Sequence, residues 1–587
     1  LIGRVVHGTT VATNTLLERS GARVVLCATE GAVDLLELRY QERASLYDLS
    51  RHHAAALVPP ERCLAVPERI GPRGVMRPLS RQGAIEVARV VRSLEPEMVA
   101  ISLLHSYRDP THERFLADAI VEEVGTDRDC VVLSSEVLPE IREYERTATA
   151  TVEAYLRPVV GRYLRRLRER LAERGFPPPS VMTSSGGMRS ADDAALTASS
   201  LALSGPAGGV VGAAYVARLA GFSDALTIDI GGTSADAGIV LGGIPLMETG
   251  GAVAGVPIAL PRVLVETVSA GGGSIGWVDD GGALRVGPRS AGGKPGPAAF
   301  ARGGTEPTVT DAHVILGNVA GHSMIGGVTL DANAARGAIS QVAQRLGSTV
   351  DRIAGAMIAA ADAAMARALR RVSVERGVDP RRCVLVAFGG GGPLHACALA
   401  SQLGMRTVLV PPFAGVLSAL GLAIAAEQRE AIASVMQHAG AMDAGAVSTL
   451  CESLAARAGA GERRAWWVRA RYAGQGHELE VPMKLGDDGI RVGERFAESH
   501  AKRFGFTLSQ PIELVSARYV SGGTMHDVRL ARGGSMKWNG RIDAGGQLEA
   551  TVSGPGTIVL PDATLHIAVG WTARSLPLGG WIMERDT

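Results

Sequence analysis

The chain has 587 residues, which is more than one hydrophobic core accommodates, so we expect three or more domains. Hydrophobic residues make up 46% and charged residues 20%, a composition typical of a soluble globular protein. The net charge of +1 gives no reason to expect nucleic acid or an acidic membrane surface as a partner. No apolar stretch approaches the roughly 18 residues that a membrane span needs.

The cysteine pattern indicates a reducing environment. The six cysteines are scattered, without a C-x-x-C pair or a spacing typical of metal ligands. In a chain of this length, such a pattern predicts reduced, buried thiols and a cytoplasmic location. The sequence starts at Leu1 rather than Met, so we expect further residues upstream.

In chain order, the sequence predicts three regions. Residues 1–132 alternate apolar strands with helical stretches, which is typical of a layered α/β domain. Residues 133–432 begin with a long helix, "EIREYERTATATVEAYLRPVVGRYLRRLRERLAERG", become glycine-rich, and include a second long helix, "STVDRIAGAMIAAADAAMARALRRVSVERG". Residues 433–587 contain strand-like pieces broken by Gly, Pro and Asp, and we expect a β-rich C-terminal domain there.

The segment "ALTIDIGGTSADAGIVLGG", residues 225–243, predicts a hairpin with an unusual tip. Glycine, hydroxyl and acidic residues crowd that tip: Asp229, Gly231, Gly232, Thr233, Ser234 and Asp236. The glycines allow backbone amides to turn inward and form an anion-binding concavity, to which the two hydroxyls add donors. Asp229 could hold a hydrated Mg²⁺, and Asp236 could assist it or orient water. The alternative is an ordinary Gly-Gly hairpin with polar capping residues.

A second glycine turn lies in "VLVAFGGGGPLHACALASQLG". It predicts a buried strand, a turn and a helix that begins near Pro393. The turn consists of Gly389, Gly390, Gly391 and Gly392. A helix N-terminus after a glycine turn is suited to phosphate or ribose, although the turn could also be a tight packing loop. Together the two turns indicate a nucleotide held between lobes, but they do not form a P-loop, because G-x-x-x-x-G-K-[ST] is missing from the sequence.

The segment "GGGSIG", residues 271–276, matches two motifs that its context excludes. Both G-x-G-x-x-G and the G-x-S-x-G centred on Ser274 require a following helix, whereas a strand-like stretch follows here. We therefore expect a glycine-rich substrate or phosphate loop that includes Gly272 and Gly273. His313 and His395 lie near these loops in sequence, and each is more typical of a structural, hydrogen-bonded histidine than of a metal ligand or base.

Seven long segments, in order along the chain, resemble the hydantoinase A / 5-oxoprolinase family. They are "HGTTVATNTLLERSGARVVLCATEG", "EIREYERTATATVEAYLRP", "LSGPAGGVVGA", "DIGGTSADAGIV", "SAGGGSIGWVDDGGALRVGPRSAGGKPGPAAFARGG", "PTVTDAHVILG" and "AFGGGGPLHACALASQLG". With the C-terminal "GWTARSLPLGGWIMER", the resemblance covers essentially the whole chain.

The resemblance implies a fold and an activity. The family is similar to the actin-like ATPase superfamily, which implies an α/β fold of two RNase-H-like lobes that close on ATP, with a β-rich C-terminal domain. The implied reaction is ATP-dependent opening of a cyclic amide such as a hydantoin or 5-oxoproline, through phosphorylation of the amide oxygen. Relatives include subunits of ATP-dependent ketone carboxylases, and most members resemble one half of a two-component enzyme. A hydantoinase B-type partner and a hetero-oligomer are therefore implied.

The resemblance also assigns roles to residues of this sequence. Near the β- and γ-phosphates it places Asp229, Gly231, Gly232 and Thr233, with Mg²⁺ bound by Asp229 through water. The loop at 389–392 corresponds to the adenosine side. The helix that holds Glu143, Glu145, Arg146 and Thr147 resembles the segment connecting the lobes, and either Glu145 or Asp236 is expected to be the acid/base or to bind the water of the metal. On the substrate side we expect His7, Thr9, Thr10 and Asn14.

One family feature is missing from this sequence. Members normally begin with another Asp-x-Gly-Gly-Thr hairpin, the first phosphate loop, whereas the only D-x-G-G-T here begins at Asp229. We expect either a truncated form of a longer protein, which the missing Met favours, or a defective paralogue. If these residues are the whole protein, little or no ATP turnover is expected. Besides the cyclic amidase, the resemblance implies two alternative roles: a subunit of an ATP-dependent ketone carboxylase of the acetone or acetophenone type, and a non-catalytic, nucleotide-binding partner subunit.

Overall fold

The computed structural model describes residues 3–319, 324–325, 328–459, 461–526, 550–577 and 579–586. Its α-helices are α1 (Val11–Glu18), α2 (Leu35–Leu38), α3 (Arg81–Ser93), α4 (Thr111–Val124), α5 (Ser134–Val137), α6 (Glu143–Glu173), α7 (Ala191–Leu196), α8 (Ser204–Leu219), α9 (Val309–Ile315), α10 (Ala332–Arg345), α11 (Val350–Val372), α12 (Gly392–Gln402), α13 (Leu417–Ile424), α14 (Ala444–Ala458) and α15 (Gly489–Phe504). Its strands are β1 (Val5–His7), β2 (Val24–Thr29), β3 (Cys63–Val66), β4 (Arg69–Gly71), β5 (Gly74–Arg77), β6 (Met98–Ser102), β7 (Val131–Leu133), β8 (Pro179–Met182), β9 (Met188–Ser190), β10 (Ala225–Ile230), β11 (Ala235–Leu241), β12 (Ile244–Pro245), β13 (Met247–Thr249), β14 (Ala252–Val253), β15 (Val256–Pro257), β16 (Pro261–Val263), β17 (Val265–Val268), β18 (Ser274–Val278), β19 (Leu284–Ser290), β20 (Met324–Ile325), β21 (Val328–Thr329), β22 (Val384–Phe388), β23 (Thr407–Val410), β24 (Gln428–His438), β25 (Arg463–Tyr472), β26 (Leu479–Met483), β27 (Ile512–Gly522), β28 (Thr551–Ser553), β29 (Gly556–Val559), β30 (Thr564–Ile567), β31 (Trp571–Ser575) and β32 (Trp581–Arg585).

The chain divides into two compact units, each built from segments that are separated in sequence. Unit 1 consists of Leu1–Gly205, Glu248–Arg262 and Ala425–His526. Unit 2 consists of Pro206–Met247, Val263–Ile424 and Asp527–Thr587. Each unit therefore combines residues from more than one of the three ranges expected from the sequence.

Unit 1 contains a parallel sheet with helices on both faces. The strand order is β3-β2-β6-β7, and all three pairings are parallel. Alternate residues of β2 point to opposite faces: Val25 and Cys27 pack in one core cluster with α3 and α4, and Leu26 packs in another with α6. Unit 1 also holds the short sheet β1-β8-β9 and the antiparallel sheet β24-β27-β25-β26, whose core includes residues of α14 and α15.

The main sheet of unit 2 positions the candidate site. Its strand order is β12-β11-β10-β22-β23-β32-β31-β28, with β17 paired to β11. Strands β12, β11 and β10 are antiparallel neighbours, and β10, β22 and β23 are parallel neighbours. Three antiparallel strands followed by two parallel ones are the arrangement expected for an RNase-H-like lobe. Strand β22 is completely buried, as is typical of a parallel strand covered on both faces.

Several elements expected from the sequence are confirmed. The two long helices are α6 and α11, the glycine hairpin is β10–β11, and the turn at 389–392 joins a buried strand to a helix. A strand, β18, follows the "GGGS" segment, which agrees with the rejection of both helix-dependent motifs. The six cysteines are unpaired thiols; four of them are buried as expected, whereas Cys63 and Cys130 are only half-buried. Among the described residues, none of the helices combines the length and apolarity that crossing a membrane requires.

The strands expected between residues 433 and 587 belong to three different sheets, one of which consists of β29 and β30 alone. Strands β25, β26 and β27 lie in the antiparallel sheet of unit 1, together with the helices α14 and α15. Strands β28, β31 and β32 instead extend the main sheet of unit 2, where β32 pairs antiparallel with β23. The described part of this region is therefore rich in strands, but it does not form one sheet.

Candidate functional site

The hairpin β10–β11 brings two carboxylates face to face. Asp229 is the second-last residue of β10, Asp236 is the second residue of β11, and the two are direct cross-strand partners. The amide of Gly231 donates to the carbonyl oxygen of Ser234 at 3.0 Å and closes the tip. Gly231, Gly232 and the residue after them are exposed, so the tip presents its backbone at the surface of unit 2.

The second glycine segment, residues 271–273, packs directly onto this tip. The amide of Gly272 donates to the carbonyl oxygen of Gly231 at 3.0 Å, and that of Gly273 donates to Gly232 at 2.7 Å. A Cβ atom at Gly271 would lie only 2.7 Å from the carbonyl oxygen of Gly231. The two backbones therefore approach more closely than any residue with a side chain permits.

The third glycine segment, residues 389–392, lies on the other side of Asp229. Strand β22 runs parallel to β10, with Phe388 opposite Asp229, so the loop that follows it begins beside the carboxylate. The amide of Gly391 donates to the carbonyl oxygen of Ile230 at 2.9 Å. Gly389 has a φ of +78°, and a Cβ there would overlap the Oδ1 atom of Asp229. Glycine is thus required at this position both by its backbone conformation and by the space available.

The electrostatics of the two carboxylates suit a cation. Burial, and then the nearby Asp236, raise the pKa of Asp229 to about 6, although a hydrogen bond from the Ser418 hydroxyl opposes this shift. Burial also raises the pKa of Asp236, whose Oδ1 accepts a hydrogen bond from the Thr267 hydroxyl at 2.5 Å. Ionising two facing, buried carboxylates together is costly, and a divalent cation bound between the charges offsets that cost.

The residues present fit a magnesium nucleotide. Within the described ranges, three or more His, Cys, Asp or Glu side chains nowhere come together in a way that could hold a metal ion. A Mg²⁺ ion at Asp229 would therefore take most of its oxygen ligands from water and phosphate, as this ion commonly does. Helix α12 begins at Gly392, the last residue of the third glycine segment, so its N-terminus lies at that segment. The positive end of the helix dipole and the free amides of the first turn favour an anion at that position. A Cβ at Gly232 or Gly390 would meet open space, so both loops leave room for a ligand.

The residues expected on the substrate side lie together in unit 1, at the end of β1 and the start of α1. His7 Nε2 forms a 2.8 Å hydrogen bond with the hydroxyl of Tyr163. The Thr9 hydroxyl accepts from the amide of the second residue along, and Asn14 Nδ2 contacts the Thr10 hydroxyl at 3.4 Å. Each of these side chains therefore has one polar atom engaged in a hydrogen bond within unit 1, and their role toward a substrate stays a prediction.

The other acid/base candidate, Glu145, lies in the first turn of α6 in unit 1, whereas Asp236 belongs to unit 2. Glu145 Oε1 accepts a hydrogen bond from the hydroxyl of Tyr40. Its Oε2 atom is buried and has no hydrogen-bond partner within the described part of the chain. An orphaned carboxylate oxygen is compatible with a proton-transfer role, which remains a prediction for this residue.

Sequence reasoning did not identify three residues that shape the site. Ser418 and Thr267 donate to the two carboxylates, and Thr310 donates both its amide and its hydroxyl to the carbonyl oxygen of Gly272, at 2.7 and 2.8 Å. Thr310 lies in one of the segments that carry the family resemblance. Ser418 lies in an apolar stretch of sequence and Thr267 is an exposed residue of β17, and nothing in the local pattern indicates which carboxylate each contacts.

Comparison with known proteins agrees with this geometry. The family model described as "Hydantoinase/oxoprolinase" matches residues 146–431, and "Hydantoinase/oxoprolinase N-terminal region" matches residues 1–124. The chain belongs to the hydantoinase/oxoprolinase family. The crystal structure of the ATP-dependent caprolactamase from Pseudomonas jessenii superposes with a TM-score of 0.86 at 30% identity, and covers 100% of this chain and 91% of its own. The expected actin-like ATPase fold is thereby confirmed.

Three relatives indicate the range of activities in the family. The caprolactamase subunit alpha of Pseudomonas jessenii is 39% identical over 422 residues, which cover 71% of this chain and 60% of the relative. The 5-oxoprolinase 1 of Arabidopsis thaliana is 35% identical, covering 71% of this chain and 35% of the relative. The acetophenone carboxylase gamma subunit of Aromatoleum aromaticum is also 35% identical, covering 71% and 59%. The chain thus spans between about a third and three fifths of these relatives.

Proposed function

We propose that this chain is the nucleotide-hydrolysing component of an enzyme that opens a cyclic amide of the hydantoin, lactam or 5-oxoproline type at the expense of ATP. The observation that carries the proposal is the convergence of three glycine segments at one end of β10: segment 271–273 bonds to residues 231–232, and segment 389–392 contacts Ile230 and Asp229. Two relatives act on this chemistry by name, a caprolactamase subunit and a 5-oxoprolinase. The third is a carboxylase subunit, so a ketone carboxylase is the second candidate function.

The proposed roles follow from the geometry of unit 2. The backbone amides of residues 232–234 and the hydroxyls of Thr233 and Ser234 would bind the β- and γ-phosphates beside Gly231, and the loop at 389–392 would bind the adenosine side. Asp229 would hold Mg²⁺ through water, and the ion would neutralise charge on the phosphates. Asp236, held by the hydroxyl of Thr267, is suited to orient a metal-bound water or to accept a proton. Glu145 is the alternative acid/base.

The chemistry requires activation because an unstrained amide is a poor electrophile. In the proposed reaction the amide oxygen attacks the γ-phosphorus of ATP and ADP leaves. One water then adds to the activated carbon, and the C–N bond breaks as the nitrogen takes up a proton, which leaves an acyl phosphate. A second water hydrolyses the acyl phosphate to a carboxylate and phosphate. The sum is ATP, two waters and cyclic amide converted to ADP, phosphate and an open-chain acid.

The test is release of ADP and phosphate with a panel of 5-oxoproline, hydantoins, lactams and ketones, with and without bicarbonate. We expect release that requires both Mg²⁺ and a cyclic amide, and a roughly 100-fold lower kcat in Asp229→Asn, because the transition state loses a charged partner. Asp280→Asn, at an exposed turn of the same unit, is the charge-matched control and should be unaffected. Turnover that requires a ketone together with bicarbonate would instead establish the carboxylase, and equal rates in both variants would contradict the site.

Two of the three named relatives are subunits, which supports a multi-subunit enzyme. We propose a hydantoinase B-type chain as the partner. Co-expression and co-purification with a candidate B-type chain should raise amide-dependent turnover over that of this chain alone. If turnover is the same with and without that partner, the two-component arrangement is wrong.

A further inference from the structure

A chain of buried polar side chains crosses unit 2 beside the glycine segments. Asp362 of α11 lies 2.6 Å from His395 Nδ1, and His395 Nε2 lies 3.2 Å from His313 Nε2. His313 Nδ1 in turn lies 3.0 Å from Asn318 Nδ2. Asp362, His395 and His313 are each no more than 4% exposed. Groups this polar, buried and connected are costly to bury unless every bond in the chain is made.

One arrangement of donors and acceptors satisfies all three hydrogen bonds. In it, the Asp362 carboxylate accepts from His395 Nδ1, and His395 Nε2 accepts from its neighbour. His313 Nε2 therefore donates to it, and His313 Nδ1 accepts from the amide of Asn318. Burial holds the pKa of His313 well below its usual range, which agrees with a neutral ring. Every member of the chain then has a hydrogen-bond partner.

Each histidine lies three residues along its helix from a residue that belongs to, or contacts, one of the glycine segments. His395 is in the first turn of α12, which begins at Gly392. His313 follows Thr310, whose amide and hydroxyl both donate to the carbonyl oxygen of Gly272. The His313–His395 bond thus ties the helix that contacts segment 271–273 to the helix that continues segment 389–392.

We propose that Asp362, His395 and His313 are positioning residues for the nucleotide site. Their hydrogen bonds hold α9 against α12 and thereby set the spacing between the two glycine segments on either side of Asp229. The expected consequence of this positioning, tight nucleotide binding, rests on the proposed function. The structural part, the fixed spacing of the two segments, holds independently of the substrate.

The decisive comparison is His313→Leu with His313→Gln. Leucine leaves His395 Nε2 without a donor, whereas the Nε2 of glutamine reaches a similar position and can still donate. Two readouts are needed: calorimetric titration with Mg²⁺ and ADP, and hydrogen exchange of the amides in residues 271–273 and 389–392. Val342→Ala is the matched control, because it removes buried packing against the same helix α9 without touching the polar chain.

We expect His313→Leu to weaken ADP affinity about tenfold or more and to accelerate exchange in both glycine segments by a similar factor. His313→Gln and Val342→Ala should stay within about threefold of the wild type in both measurements. Unchanged exchange and affinity in a folded His313→Leu would overturn the inference, and so would a His313→Gln variant as impaired as His313→Leu. If the wild type itself binds no nucleotide, the proposed function fails, while the exchange data still decide the positioning role.

Discussion

Replacing Gly389 by alanine tests how closely the third glycine segment is fitted to Asp229. Its φ of +78° disfavours any residue with a Cβ, at a cost of about 1 kcal/mol. The new methyl would also overlap the Asp229 carboxylate and lie 2.6 Å from the carbonyl oxygen of Ile230, and overpacking of this kind costs about 1–3 kcal/mol. Together these effects predict a loss of about 2–4 kcal/mol in the free energy of unfolding of unit 2.

The neighbouring residue provides a matched control. Gly390 is exposed, its φ lies outside the left-handed region, and a Cβ there meets nothing within 4 Å. Its replacement by alanine should change the free energy of unfolding by less than about 0.5 kcal/mol.

Calorimetric melting of the three proteins, without nucleotide, measures the difference. For a domain of this size, the loss corresponds to a decrease of roughly 5–15 °C in Tm for Gly389→Ala and about 2 °C or less for Gly390→Ala. Because the displaced carboxylate is the proposed magnesium ligand, Gly389→Ala should also lose at least tenfold in affinity for Mg²⁺ and ADP. Equal melting temperatures for both variants would refute the close fit at Asp229.

Three further predictions concern the same unit. Because the pKa of Asp229 is raised to about 6 in the folded state, its protonated carboxyl stabilises the fold by about 3 kcal/mol below pH 4, and this contribution is lost as the pH rises through 6. Tm measured with EDTA present should therefore fall over this range, and Asp229→Asn should flatten the fall. Ser418→Ala removes the hydroxyl that favours ionised Asp229, so the pH at which Mg²⁺-dependent ADP binding is half-maximal should rise, and an unchanged midpoint would show that this bond is unimportant. Gly421→Ala should lower Tm, because the new Cβ on α13 would overlap the backbone of α8 at Gly208. The control Gly337→Ala has open space around its Cβ in α10 and should stabilise the protein by about 0.5–1 kcal/mol, so identical melting curves for the two variants would contradict the close crossing of α8 and α13.

Local features of the site were predictable because they depend on short-range patterns. An apolar run ending in Asp-Ile-Gly-Gly-Thr specifies a strand and a tight turn, and four glycines after "VLVAF" specify a turn before a helix. The strand after "GGGS" was likewise predictable from the alternation that follows it. Each of these inferences needs fewer than about twenty residues of context.

The long-range contacts were not predictable in the same way. That segment 271–273 lies on the tip at 231–232 depends on main-chain hydrogen bonds between loops, which leave no side-chain pattern. The histidines at 313 and 395 were each interpretable as structural, but 82 residues separate them, and no periodicity indicates that they contact each other. A two-residue period likewise indicates strands near the C-terminus but does not identify their partners, so the division of these strands among three sheets had no local signal.

The central claim is that the three glycine segments around Asp229 bind a magnesium nucleotide, and a crystal structure with Mg²⁺ and a non-hydrolysable ATP analogue tests it most directly. The account predicts phosphate oxygens within hydrogen-bond distance of the backbone at residues 231–234, a hydrated Mg²⁺ beside Asp229 and the nucleoside against residues 389–392. A nucleotide bound elsewhere on the chain, or an empty hairpin tip at saturating nucleotide, would contradict it.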